Sequence, residues 1–453
     1  MLSAFLKQVM SGFIKVNFSL RGGKKVMRKI HDTFCWNDVP LGVRRTALSM
    51  IACMSAFLFA IAALAEPKTQ LEFWQTMNTE ESKTLMELVA EFEKANPDIK
   101  VNAQIVPFSD AQNKYRIAAA AGDAPDVFRA EIAWIADFAV AGYLEELSSR
   151  FVEKERADFL SSAMAYGEFQ GKLWAVPQAT DCLALLYNKD LLAKAGAKAV
   201  PDTLEEFVAL GKKLTNAGSG QYALGVSPEG YWAQTFVWAY GGDLIDVKNR
   251  KALISNAKSL SGMQFFSDLF HTHKIVSPDV DFVNGYNNMM TAFKQGKTAM
   301  IINGPWATSD VLKGTAFKKP ENLGIARIPK GPAGYGSPVG GNSYVMYKGS
   351  KHKEASYKFI SFLTSRDAQV RFATRHNLLP TRKSAYEVGD VKNNPILQGF
   401  KSQIEVARNR PVIPEGSRIY PSLNKAVQQV LTKSKSPQGA MKRVAKKWNK
   451  MLR

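Results

Sequence analysis

The stretch "LEFWQTMNTEESKTLMELVAEFEKANPDIKVNAQIV", residues 71–106, decides the fold. It opens on a short apolar run, Leu71–Trp74, that reads as a strand. Leu85, Leu88, Val89 and Phe92 then recur at i, i+3, i+4 and i+7, a helical stripe that stops before Pro97. Beyond it Ile99, Val101, Ala103 and Ile105 alternate with Lys100, Asn102 and Gln104, one face apolar and the other polar. Strand, helix and strand of these lengths make a βαβ unit and predict a mostly parallel sheet.

The same grammar recurs downstream. An Ala-rich helix around "YRIAAAAGD" ends at Gly122, and "PDVF" follows as a buried strand. "PDTLEEFVALGKKLTNAGSG" opens on a capping box, Thr203 to Glu206, and carries Phe207, Leu210 and Leu214 on one side before "YALGV" returns to a strand. There is no short repeat, low-complexity linker or heptad run. At 453 residues an α/β chain of this kind predicts two domains or one two-lobed unit.

The formal charge is +20. Residues 1–65 hold nine Lys and Arg against Asp32 and Asp38, and the remainder is basic too, so nucleic acid and anionic surfaces both need weighing. Within "RRTALSMIACMSAFLFAIAALAEP", Arg44 and Arg45 precede an apolar run, and Ala63-Leu64-Ala65 closes it with small residues before Glu66. That layout is a cleaved secretory signal, and the expected location is periplasmic. Cys35 and Cys53 lie in this leader, so Cys182 stands alone in the mature chain and no internal disulfide is expected there.

Several chemistries find no support. His271 and His273, two apart, suit neither one helix face nor a zinc-ligand spacing, and no metal is expected. There is no G-x-S-x-G elbow, and "GPAGYGSPVGGN" matches neither a phosphate loop nor a complete G-x-G-x-x-G. A turn with close backbone approach is the better reading of those glycines, and no cofactor is expected. The basic tail "MKRVAKKWNKMLR" spaces Val444, Trp448 and Leu452 at i, i+4 and i+8. It reads as a terminal helix packed on a core, and no nucleic-acid partner is expected.

What survives is a set of aromatic residues at turns beside acids and amides. Trp74, Trp134, Tyr231, Trp232, Trp306 and Tyr420 stand near Asn78, Glu80, Glu131, Asp181, Glu229 and Asn303. Open α/β sheets bind ligands beyond the carboxyl ends of their strands. Rings beside carboxylates there suit a sugar, whose C–H face stacks while its hydroxyls bond to the acids. Each ring taken alone reads equally well as a core plug.

The blocks "FEKANPDIKV", "AAAAGDAPDV", "GKLWAVPQATDCLALLYNKDLL", "PDTLEEFVALGKKL" and "AFKQGKTAMIINGPW" give the chain a resemblance to bacterial extracellular solute-binding proteins of the maltose-binding type, which serve ABC importers. The likeness runs from about Leu71 to the C-terminus. It implies a periplasmic-binding-protein-like fold of two doubly wound α/β lobes around a ligand cleft. Lobe 1 would span 66–179 plus 331–363 and lobe 2 180–330 plus 364–453, after a leader over 1–65, with crossings near Thr180, Ile328 and Thr364. It implies a monomer without catalysis that takes a disaccharide or oligosaccharide and docks on membrane permease subunits.

Position by position, Trp306 matches a sugar-stacking ring of the maltose-binding protein, and Glu229 and Tyr231 match a carboxylate and a ring. Asp181 replaces a glutamate and Tyr420 a tryptophan. Asn78–Glu80 replace an Asp-Lys pair. A tryptophan and an Asp-Arg pair align with Ala130, Ala133 and Trp134, beside Glu131. These departures keep the class and leave open which related sugar is bound. Two other functions fit the residues: a glycoside-active enzyme using Asp181 and Glu229 as its carboxyl pair, and a sensor partner that presents ligand.

Overall fold

The computed structural model describes residues 69–197 and 199–453. The opening βαβ unit is present as β1 (Thr69–Gln75), α1 (Thr79–Ala95) and β2 (Ile99–Ile105), with β1 and β2 parallel. Helix α2 (Phe108–Ala121) stops where Gly122 turns left-handed at φ 85°, a conformation open to glycine without a Cβ penalty. Strand β3 (Val127–Glu131) follows. The chain then reaches β4 (Ala175–Cys182) and, after Leu183 alone, β5 (Ala184–Asn188).

The second half builds α3 (Leu204–Leu214), β6 (Tyr222–Gly225), α4 (Gly230–Ala239), α5 (Ala257–His271), α6 (Gly285–Lys294) and β7 (Thr298–Asn303). The Thr203–Glu206 capping box at α3 is formed in both directions. Then come β8 (Leu323–Ala326), β9 (Val339–Met346), α7 (Lys353–Leu363), α8 (Arg366–His376), α9 (Pro395–Ile404), α10 (Tyr420–Leu431) and α11 (Pro437–Met451).

The two larger sheets, beside two short hairpins, are ordered β2-β1-β3-β9-β4 and β8-β5-β7-β6. They are mixed, not mostly parallel. β9 runs antiparallel to β3 and β4, and β5 antiparallel to β7 and β8. The reason is connectivity: β4 passes straight into β5 of the other sheet, and β8 leads back to β9 of the first. Strands that enter from the neighbouring sheet need not follow the right-handed crossover that makes a βαβ pair parallel.

Period-two alternation covers both faces of each sheet. In the first, Val127, Tyr344 and Met346 face one core while Phe128, Ala130 and Val345 face another. In the second, Leu185, Met300 and Ile302 lie against one core and Ala184, Leu186 and Ile301 against the other. A fully buried Leu, Ile or Phe contributes about 1.5–3 kcal/mol. Ile105 departs from the alternation read in the sequence and is 63% exposed. It closes an edge strand and has lost the cover that Ile99 and Val101 enjoy.

Pro67–Arg453 forms one compact unit. The leader and signal segment read at 1–65 lies outside the described residues. Among the described residues no helix is long and apolar enough to cross a membrane, and no cluster of three or more His, Cys, Asp or Glu is grouped to hold a metal ion. Cys182 is buried, and burial pushes its thiol pKa up.

Candidate functional site

The site is built around a side chain that no local sequence pattern marks. Arg410 lies in the loop before α10 and is 6% exposed. Its Nη2 donates to Glu131 Oε1 at the end of β3, and its Nε donates to the Val339 carbonyl at 3.0 Å. Its backbone N–H donates to Tyr166 Oη at 2.7 Å. The guanidinium carbon stands 5.4 Å from the Tyr231 ring centroid. One cation therefore ties the first sheet's strand ends to the Tyr231 ring of α4.

Asp181 is the last residue but one of β4, opposite Gly340 of β9. A Cβ at Gly340 would overlap the Asp181 carboxyl and crowd Tyr231 Oη, so glycine is what lets this backbone pass so close. That is the close approach expected of the "VGGN" glycines. Part of Asp181 still meets solvent, yet the packed groups around its carboxyl strip away most of its water. This desolvation pushes the Asp181 pKa up to about 7, opposed by Arg410 and Arg129 and reinforced by Glu131 and Glu81. Burial works against the Arg410 charge as well, but Glu131 and the surrounding tyrosines outweigh it and hold that group well above its ordinary pKa.

From Tyr231 a chain of rings leads outward. Tyr231 lies 6.1 Å from Tyr420 and 5.5 Å from Trp232, and Trp232 lies 6.0 Å from Tyr286. Trp306 Nε1 donates to Tyr286 Oη at 3.1 Å, and Tyr420 Oη donates to Gln234 Oε1 at 3.2 Å. Trp306 is half-buried and folds back over Gly304, where a Cβ would collide with its ring. Glycine at 304 is therefore a steric requirement of the ring. Glu229 precedes α4, in the same turn as Tyr231, and accepts a 2.9 Å bond from Ser227 Oγ.

Beneath the first-lobe side lies a buried polar floor. Arg129 donates to Gln178 Oε1 at 2.9 Å and to Thr76 Oγ1 at 3.0 Å. Burial lowers its pKa and raises that of Glu81. Gln178 Nε2 and Asn342 Oδ1 are buried there without a partner among the described residues.

Thus Glu131, Asp181, Tyr231 and Tyr420 gather around Arg410, Trp306 joins them through the ring chain, and Glu229 sits at the start of α4. The other sequence candidates make their bonds elsewhere. Asn78 caps α1, its Oδ1 accepting from the N–H groups of Glu80 and Glu81 at 3.0 and 2.9 Å. Glu80 pairs with Lys83 at 3.2 Å and with Lys313, beyond β7, at 3.1 Å. Trp134 is 6% exposed and stacks 6.1 Å from Phe128 in a first-lobe core. Arg410, Arg129, Gln178, Gln234 and Tyr286 were missed. A buried arginine is invisible in sequence until its partner, here Glu131, is known to be near.

A two-lobed α/β frame with a buried polar and aromatic seam between sheets defines a solute-binding protein. The chain belongs to the bacterial extracellular solute-binding protein family, whose model matches residues 78–370. It is similar to the GacH receptor of Streptomyces glaucescens, solved unliganded and with acarbose and an acarbose homolog: 38% identical, TM-score 0.80, covering 85% of this chain and 99% of that one. It is similar to the maltose-bound MalE3 of T. maritima, 27% identical with a TM-score of 0.78 over 84% of this chain and 100% of that one. Among sequence relatives, the galactooligosaccharide-binding protein of Bacillus subtilis is 26% identical over 83% of this chain and 88% of its own length.

Proposed function

We propose that the chain is exported, captures an oligosaccharide of the maltose or maltodextrin kind between its lobes, and delivers it as a monomer to the permease of an ABC importer without chemical change. The observation that carries this reading is the Arg410 cluster. It sets two carboxyl groups and two phenol rings around one cation, and a half-buried tryptophan joins them through Trp232 and Tyr286. Such a surface offers stacking for a pyranose C–H face and acceptors for its hydroxyls. The relatives named for maltose, acarbose and galactooligosaccharide support the sugar class.

Glu131, Asp181, Glu229, Tyr231, Trp306 and Tyr420 are the contacts in this proposal. Asn78 and Trp134 support them from a helix cap and a core, and Glu80 acts as a tie between lobes through Lys313. The proposed lobes are 66–179 with 331–363, and 180–330 with 364–453. They close about the crossings, and ligand selects the closed form.

Calorimetry of Pro67–Arg453 with maltose, maltotriose, acarbose and galactooligosaccharides tests the function, with the sugar recovered and chromatographed afterwards. Saturable binding of at least one, recovered intact, is expected. No binding by any of them, or the appearance of hydrolysis products, overturns it.

A further inference from the structure

The last helix, α11, has two faces of opposite character. Ala440, Met441, Val444, Ala445 and Trp448 are buried, together with Leu452 just beyond its end, and Trp448 is 0% exposed. Lys442, Arg443, Lys446, Lys447, Lys450 and Arg453 are exposed. At 100° per residue these six cations fall within an arc of about 140°, and they extend over about 17 Å of helix axis. Residues 433–453 contain eight Lys and Arg and no Asp or Glu. None of the eight is in an ion pair among the described residues.

Two carboxylates around the core beneath this helix are already paired with arginines. Glu415 pairs with Arg250 at 2.9 Å and Asp243 with Arg408 at 3.0 Å. Exposed Lys251 lies beside the helix, since the adjoining Ala252 N–H donates to Asn449 Oδ1 at 2.8 Å, but Asp246 faces it across the hairpin, so it adds little net charge. The spacing also has a cost. Lys442 with Lys446, Arg443 with Lys447 and Lys446 with Lys450 are like charges four apart, an arrangement that weakens a helix. Packing of the Trp448 face outweighs that repulsion, and an anionic partner would remove it.

We propose that this face docks on the anionic headgroups of a phospholipid bilayer. The strip is one side of a single helix, and the pocket at the start of that helix, lined by Ser436, Pro437 and Gln438, includes none of the six cations. Its aromatic residue is turned inward, so it offers no stacking platform for bases. What remains is a row of flexible cations, the chemistry that binds a charged lipid surface. The choice of lipid over other polyanions rests on the import role proposed above, whereas the charge pattern does not. Trp448 Nε1 donates to Ser422 Oγ at 2.8 Å, in the first turn of the helix that Tyr420 begins. Docking through α11 would therefore hold the sugar-binding lobe at the bilayer where a permease lies.

The test uses Pro67–Arg453, a compact unit by itself, so the basic leader takes no part. Sedimentation with vesicles of phosphatidylcholine, alone or with about a quarter phosphatidylglycerol, is measured at about 50 and about 500 mM NaCl. Binding is expected only with phosphatidylglycerol, and it should fall at the higher salt. The quadruple variant K442Q/R443Q/K446Q/K447Q should lose about tenfold or more in vesicle affinity while its melting temperature and sugar binding persist. The control K212Q/K213Q/K318Q/K319Q removes the same charge elsewhere and should lose far less. Equal loss in both variants, or no preference for the anionic vesicles, overturns the proposal. So does tighter binding to duplex DNA or polyglutamate than to the vesicles at equal salt. Because sugar binding is measured separately, failure of the import reading and failure of lipid docking are distinguishable.

Discussion

Trp306 Nε1 donates a 3.1 Å hydrogen bond to Tyr286 Oη, so the indole is held by its edge while it remains half-buried. A ring fixed this way presents a face without paying to order itself on binding, and a stacked sugar would take advantage of that. Trp306→Ala should weaken sugar binding by roughly 2–4 kcal/mol, the usual loss for a truncated aromatic anchor, or about 30- to 800-fold. Trp306→Phe should lose much less. Tyr286→Phe frees the indole edge and should cost affinity modestly. Trp448→Ala, at the centre of the α11 core, is the control that lowers the melting temperature and spares affinity. Calorimetry on the folded fraction reads all four, and unchanged affinity in Trp306→Ala would remove the stacking site.

Arg410 is expected to support both stability and binding. Replacing it with alanine leaves Glu131 in a buried place without its cation, and breaking such a pair costs about 3–5 kcal/mol. The expected result is a large drop in urea midpoint together with loss of sugar affinity. Adding Glu131→Gln to Arg410→Ala should recover part of the stability, because the stranded charge is gone. If the double variant is no more stable than Arg410→Ala alone, the coupling between these two side chains is not what holds the seam.

The crossings make a prediction about shape. Only Leu183 separates β4 of one sheet from β5 of the other, so a small rotation there can swing the lobes. Small-angle scattering should give a smaller radius of gyration with saturating sugar than without. An unchanged radius would point to a rigid pocket.

How much of this was legible depends on the range of each interaction. The α1 stripe, the left-handed Gly122 and the Thr203–Glu206 capping box are set within a few residues, and the structure has all three. The antiparallel course of β9 was not legible, because it follows from where β8 leaves the other sheet. Aromatic residues at turns drew attention to Tyr231, Trp306 and Tyr420, since rings beside strand ends are a local pattern, and the structure links the three through ring contacts. The same pattern also picked Trp134, which lies six residues beyond Phe128 and stacks inward on it. Arg410 and Glu131 are 279 residues apart, and no local signal joins them.

The last prediction concerns Asp181 and pH. Its folded pKa stands at about 7 because burial disfavours the carboxylate, while an unfolded aspartate titrates near ~3.9. Below about pH 4 both states hold the proton and Asp181 contributes no pH dependence. Between about pH 4 and 7 the unfolded chain gives up the proton that the folded chain retains, so stability falls as pH rises through this window. Above about 7 both are ionised and the penalty levels off. Three pKa units correspond to about 4 kcal/mol. Asp181→Asn has no proton to lose and keeps the shape. Its melting temperature should match the wild type near pH 4 and exceed it increasingly up to about pH 7, with the gap constant beyond. Thermal melts of both proteins across that range, in one buffer series at fixed ionic strength, measure the gap directly. A gap that is the same at every pH, or that shrinks as pH rises, would mean that Asp181 is ionised in the folded protein throughout and that the Arg410 and Arg129 charges outweigh its burial.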